Sequence, residues 1–412
     1  MKIDIKIAWR NVWRNSRRSL MTMGAIAFAT TLLVFMLSWQ FGSYDTMINS
    51  AVRTYYGHVQ VQPKGYLEKK DIRLVVADPD EIGAFLKEIP GVTAHTFRGN
   101  AFSLLSSKAR TYGALVIGID PVRESRVSTI KQLIRKGHYL SEGDENRALL
   151  GQLLARNLRV SVGDEVVVLG QGRDGSIAAT VVKVKGIYSS GQDVSDRSFI
   201  QIPLKTFQEV YSMGKAVHEV VVLCKDLDRV QAVRATLASY IERLGGKDDL
   251  VVLDWKELMP GLIQAIRMDL FSGFIMYILL IIVVAFSILN TFLMAIFERT
   301  REFGVLMAIG TKPGRLTKIL LMESGVLTLS GILVGVLSGC LVTYYFQIHG
   351  IYVSEASDLL RQYGLPERMY PRLSMLSVSI GSGIVLAITL ITALYPAFKV
   401  HGVRPIEAMA AN

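Results

Sequence analysis

Hydrophobic runs free of charge occur four times along the chain, once near its start and three times in its last third: Ser19–Tyr44, Leu270–Phe297, Ser324–Ser354 and Leu373–Phe398. Each exceeds the roughly 20 apolar residues that a helix needs to cross a hydrocarbon core about 30 Å thick. The pattern predicts an α-helical membrane protein with four transmembrane helices, one plus three, assigned to 19–44, 269–297, 319–348 and 373–398. Residues 45–268 read differently. Short Val- and Ile-rich segments alternate there with amphipathic ones, which predicts a large α+β domain inserted between spans one and two.

Within that domain the strands expected are His58–Gln62, Ile72–Ala77, Ala114–Ile119, Glu165–Leu169, Ala179–Tyr188, Phe199–Pro203, Glu219–Cys224 and Leu250–Asp254. Helices are expected to start at Asp78-Pro79, capped by Asp78 and ended by Gly91, at Asn146, and at Asp226. The last carries Val230, Val233, Leu237 and Ile241 on one face and stops at Gly245-Gly246. Span two is longer than a bilayer requires, and Leu262, Ile263 and Ile266 extend its pattern backwards into a stalk. Residues 1–18 form a basic leader in which Ile5, Ala8, Trp9, Val12 and Trp13 recur at helical spacing, as in a helix lying at a membrane surface. Its length and the long apolar run behind it point to a permanent anchor rather than a cleaved signal.

Charge orients these elements. The chain carries a net +11. Lys2, Lys6, Arg10, Arg14, Arg17 and Arg18 crowd the leader, and Arg299, Arg301, Lys312, Arg315 and Lys318 follow span two, whereas acidic and basic residues balance in 349–372. Basic residues near span ends favour the cytoplasm. Both termini, the segment 298–318 and the tail 399–412 are therefore expected there, with 45–268 and 349–372 outside. The basic balance reflects membrane flanks facing lipid headgroups, not nucleic acid. The two cysteines, Cys224 and Cys340, fall in different regions and make no disulfide framework.

Motifs that would mark an enzyme are missing. No P-loop, HExxH, CxxC or GxSxG pattern occurs. Gly170-Gln171-Gly172-Arg173-Asp174-Gly175 matches GxGxxG but is followed by a β-branched alternating run, so a hairpin loop is expected. His58, His95, His138 and His218 are scattered, and no catalytic or metal constellation is expected. Gly331, Gly335 and Gly339 form a small-residue stripe on span three, suited either to a dimer seam or to packing within one subunit.

The most specific segment is Glu298-Arg299-Thr300-Arg301-Glu302-Phe303-Gly304-Val305-Leu306-Met307-Ala308-Ile309-Gly310. Its charged hexad is expected to continue the span-two helix. Val305, Leu306 and Ile309 then make an apolar patch, Gly310 stops the helix and Pro313 begins the next. The segment resembles the E-R-x-R-E-[FI]-G-[IV]-L-x-A-[IL]-G signature of the FtsX/MacB-like permeases, the type VII ABC transporter superfamily. The one-plus-three layout resembles that family too, as do the tail Pro396-Ala397 with Val403-Arg404-Pro405-Ile406-Glu407-Ala408, and Leu154–Leu158 with Val162–Val166. Val184–Gly191 resembles the lipoprotein-releasing LolC/LolE branch in particular.

The resemblance implies a permease subunit in the bacterial inner membrane, not itself an enzyme, that dimerises with itself or a sister and receives two copies of an ABC ATP-binding subunit. This chain would bind no cofactor; ATP and Mg would sit on that partner. Glu298, Arg299, Arg301, Glu302, Phe303, Gly304, Leu306 and Gly310 would form the coupling helix, and the outer domain a Porter and a Sabre lobe. Work would pass by mechanotransmission along the stalks, extracting a lipoprotein towards a periplasmic carrier. Met36, Phe41, Met47 and Ile48, with Leu262, Ile263 and Ile266, are candidates for an acyl-chain shelter. The alternatives are export of peptides, toxins or antibiotics, signalling to a cell-wall hydrolase, or a membrane-anchored sensor without an ATPase.

Overall fold

The computed structural model describes residues 9–14, 16–245, 249–298, 300–352 and 368–399. The expectations on Lys2–Ala8, Arg299, Gly246, most of the loop 349–372 and the tail 400–412 lie wholly or partly outside these residues. The chain divides into two compact units. One holds the chain up to Asp45, Ile266–Tyr352 and the chain from Arg368; the other holds Thr46–Ala265.

In the first unit, four helices among the described residues are long and apolar enough to cross a membrane: Ser16–Tyr56, Pro260–Met294, Pro313–His349 and Met375–Tyr395. Span one is the helix to which the others pack. A Cβ on Gly335 would stand 2.6 Å from both the Ala27 carbonyl oxygen and Thr30 Cβ, and one on Gly331 would stand 2.8 Å from Ile26. The glycine stripe therefore seats span three against span one of the same chain, which assigns it to packing within one subunit rather than to a dimer seam. Thr31 Oγ1 and Ser338 Oγ lie 2.6 Å apart across that seam. Span four packs against span three as well as span one, where Gly381 lies against Val34 and the Ser38 hydroxyl donates to Ser377 at 2.9 Å. Ile26, Leu33, Ile288, Phe292, Leu327 and Val385 fill the space among the four helices. The hydroxyls of Thr30, Thr328 and Thr389 each donate to the carbonyl four residues back, which satisfies them where no water is available.

The second unit is built on one ten-stranded mixed sheet. Its strands are β1 (Val59–Pro63), β2 (Val92–Ser106), β3 (Thr111–Ile119), β4 (Ile134–Gly137), β5 (Arg147–Gly151), β6 (Glu165–Gln171), β7 (Ile177–Tyr188), β8 (Phe199–Pro203), β9 (Glu219–Cys224) and β10 (Leu250–Asp254). The order is β10-β1-β9-β2-β3-β8-β5-β7-β4, and β6 pairs both β2 and β7. The pairings β2–β3–β8–β5–β7–β6–β2 thus close on themselves, a six-stranded ring without open edges. Leu105, Val116, Leu150, Val168, Val182 and Ile200 fill it, with Leu154, Leu158 and Phe207 from two short helices.

Several expectations need correction. Ile72–Ala77 is no strand: only Val76 bridges, to Val217. Asn146 starts no helix; it takes φ +49° and leads into β5, and the helix begins at Gln152. Asp78 makes no side-chain cap to the helix Pro79–Leu86, which ends before Gly91. The last domain helix runs Val230–Leu244, entered through a 3-10 turn. Gly172–Ser176 is a hairpin loop between β6 and β7, as the β-branched run after it required.

The chain passes from one unit to the other inside two helices, Ser16–Ala51 and Pro260–Phe297. The first ends in a π-helical turn, Val52–Tyr56, and Gly57 at φ +71° feeds β1. The second begins after β10, where Asp254 closes a capping box with Glu257. β1 and β10 are antiparallel neighbours, Val59 opposite Asp254. Both helices therefore join the sheet at adjacent strands.

Candidate functional site

The segment after span two forms an elbow. Its first helix ends at Phe297, and a second runs Thr300–Ala308. The expected uninterrupted helix is thus replaced by two, broken beside Glu298. The reason is packing: Phe303 and Met307, one turn apart, fold back onto Ile296, Leu316 and Leu320, apolar contacts that a straight continuation would forgo. The Thr300 hydroxyl donates to the Ile296 carbonyl, four residues back, at 3.0 Å. Gly310, at φ +101°, ends the short helix, and the amides of Gly310 and Thr311 return to the carbonyls of Met307 and Leu306. Pro313 opens span three with Lys312 at its N-cap.

These contacts sort the expected coupling residues. Phe303 and Gly304 are buried and position the helix. Arg301 is exposed. Leu306, at 42% exposure, shares an open stripe with Val305 and with Ile309, which is 78% exposed. Glu302 receives Arg14 Nη2 on both carboxylate oxygens, at 2.9 and 2.7 Å, and Glu298 receives Arg18 Nη1 at 2.7 Å. The two arginines were not among the expected site residues. Their spacing of four matches that of the two glutamates, but nothing in the sequence pairs them.

The expected shelter residues divide. Met36, Phe41 and Ile266 belong to the membrane unit, and Met47, Ile48, Leu262 and Ile263 to the other. Ile48 is buried and the rest are half-buried.

Two histidines serve the sheet. The Asn100 amide donates to His218 Nδ1 at 2.9 Å, and His218 Nε2 donates to the Ile72 carbonyl at 3.1 Å. The Cys224 amide donates to His58 Nδ1 at 3.0 Å. Burial, helped by Arg53 beside His58, holds that imidazole down at about 4, and burial holds His218 at about 4 as well. Burial pushes the Cys224 thiol up to about 12, so it is inert. Among the described residues no group of three or more His, Cys, Asp or Glu could hold a metal ion.

Comparison with known proteins agrees with this architecture. The family described as MacB-like periplasmic core domain matches residues 19–240, and FtsX-like permease C-terminal matches 274–404. The chain is 25% identical to the lipoprotein-releasing system transmembrane protein LolC of Xylella fastidiosa, over 96% of this chain and 95% of that protein. It is 22% identical to the macrolide export ATP-binding/permease protein MacB of Campylobacter jejuni, over 83% of this chain and 53% of that protein. The periplasmic region of MacB from Actinobacillus actinomycetemcomitans aligns with 51% of this chain and 92% of its own length, at 14% identity and a TM-score of 0.38. One match thus covers span one and most of the large domain, and the other the three later spans: the chain belongs to the FtsX/MacB-like permeases of the type VII ABC transporter superfamily.

Proposed function

We propose that this chain is the permease subunit of an ABC transporter that releases lipoproteins from the inner membrane by mechanotransmission. The observation that carries the coupling role is the elbow. Buried Phe303 pins a short helix between spans two and three, and the stripe of Val305, Leu306 and Ile309 on the same helix stays open. A separate ATP-binding subunit, two copies per permease dimer and each with ATP and Mg, is received on that stripe. With the elbow, the termini and the tail in the cytoplasm, movement there reaches the extracytoplasmic sheet through the helices that enter β1 and leave β10. Lipoprotein release is supported by similarity to LolC along nearly the whole chain. The similarity to MacB supports export of a small molecule as the second reading.

The physics suits extraction. Exposing acyl chains to water costs about 0.8 kcal/mol per CH₂, so several chains need external work and an apolar shelter. Copurification tests the coupling role: the unmodified chain retains an ATP-binding subunit, and Leu306→Asp with Ile309→Asp loses it while all four spans insert. A chain that retains no such subunit removes the transporter assignment. Transfer of a labelled lipoprotein to a soluble carrier that continues at its normal rate in depleted cells removes the lipoprotein assignment and leaves export.

A further inference from the structure

Two ion pairs at the elbow repeat each other. Arg14 meets Glu302 and Arg18 meets Glu298, so residues four apart on the leader and start of span one face residues four apart across the elbow. They run in opposite directions, as two rungs of a ladder. Arg18 is only 19% exposed, so its rung is partly shielded from water. Apolar and polar contacts hold the leader beside this ladder. Val12 is buried in the cluster that includes Phe292 of span two, and the Ser19 hydroxyl donates to the Val12 carbonyl at 2.6 Å. Trp9 and Trp13 stack edge to face with centroids 6.0 Å apart and remain half exposed.

Span two is already joined to the elbow by the chain itself, one residue beyond Glu298. Span one has no covalent link to it. The ladder supplies one. We propose that Arg14 and Arg18 are positioning residues that yoke span one to the elbow, so that one displacement of the short helix moves both helices leading to β1 and β10. Moving only span two would shear two neighbouring strands; moving both together displaces the sheet as a body. This rests on the elbow being the ATPase-coupling site. Exposed single ion pairs contribute little, but here the paired charges set direction and register, which is where a two-rung arrangement is effective.

Charge reversal tests the yoke in proteoliposomes holding the complete transporter, with a labelled lipoprotein as cargo. Arg14→Glu with Arg18→Glu retains the ATP-binding subunit and its hydrolysis, while ATP-driven transfer falls roughly ten-fold, the scale of altered coupling along a contact network. Reversing all four charges, with Glu298→Arg and Glu302→Arg added, restores transfer, which a misfolded or misinserted variant could not do. Transfer unchanged in the Arg14→Glu/Arg18→Glu chain overturns the yoke and leaves the elbow intact as a docking site. Failure of the fourfold exchange to recover transfer, in a chain that still retains the ATP-binding subunit and its hydrolysis, also overturns it. If the unmodified chain retains no ATPase, the coupling role itself has failed, and that result is distinct from both.

Discussion

His58 and His218 are buried in the sheet with one ring nitrogen each accepting a backbone amide, and that geometry makes the domain sensitive to acid. An unfolded histidine titrates near 6.5, whereas burial holds both at about 4 in the fold. Between these values the unfolded chain binds more protons than the folded one. Stability therefore is full above about 6.5 and falls as the pH drops towards about 4. Protonating His218 Nδ1 would also take from Asn100 its amide partner. The expected outcome is a denaturation midpoint for the domain that drops between pH 6.5 and pH 4, and drops less in a His58→Gln, His218→Gln chain. Equal acid sensitivity in both proteins would assign the loss to other groups.

Span three shows how far one element depends on its neighbour. A Cβ at Gly335 meets the Ala27 carbonyl and Thr30, whereas one at Gly325 on the same helix meets nothing within 4 Å. Gly335→Ala is expected to destabilise the membrane unit by about 1–3 kcal/mol, the usual cost of overfilling a tight contact, while Gly325→Ala is neutral or stabilising; thermal unfolding in detergent compares them. Equal midpoints for the two would mean that the stripe is not a close seam. Elements of this kind were legible in the sequence because one local feature defines them: charge-free length for the spans, β-branched runs for β8, β9 and β10, and glycine spacing for a close helix contact, though not for which helix it meets. β2 was not legible. Its centre reads Phe97-Arg98-Gly99-Asn100, and it is a strand because partners far along the chain satisfy it: Glu124 pairs with Arg98, and His218 accepts from Asn100. At the elbow, the sequence offered Phe303 and Leu306 alike as coupling residues; only the fold shows Phe303 buried and Leu306 open, because residues three apart on a helix lie close to one face. Arg14 and Arg18 could not be placed, since their glutamates lie 288 and 280 residues away.

At the scale of the whole molecule, two compact units share two helices, and each has its own core. If displacement passes from one unit to the other, as proposed, both must stay rigid while it does so. Deep in the domain, Arg98 and Glu124 form an ion pair at 1% and 0% exposure, with Arg98 Nε and Nη2 on the two carboxylate oxygens and Nη1 on the Tyr55 carbonyl. Burial opposes the charge on Arg98, but Glu124 overcomes it and raises the guanidinium above its ordinary value. Glu124→Gln leaves a buried guanidinium without its counter-charge, a loss of about 3–5 kcal/mol. If the units hold together independently, that loss falls on the domain alone. The four tryptophans allow each unit to be followed: Trp255 lies in the domain, and Trp9, Trp13 and Trp39 lie in the membrane unit. In denaturant, Glu124→Gln is expected to move the Trp255 transition to lower concentration and leave the other unchanged, with Trp255→Phe identifying which signal is which. If both transitions move together, the two units unfold as one, and a rigid domain driven through two helices is the wrong description of this chain.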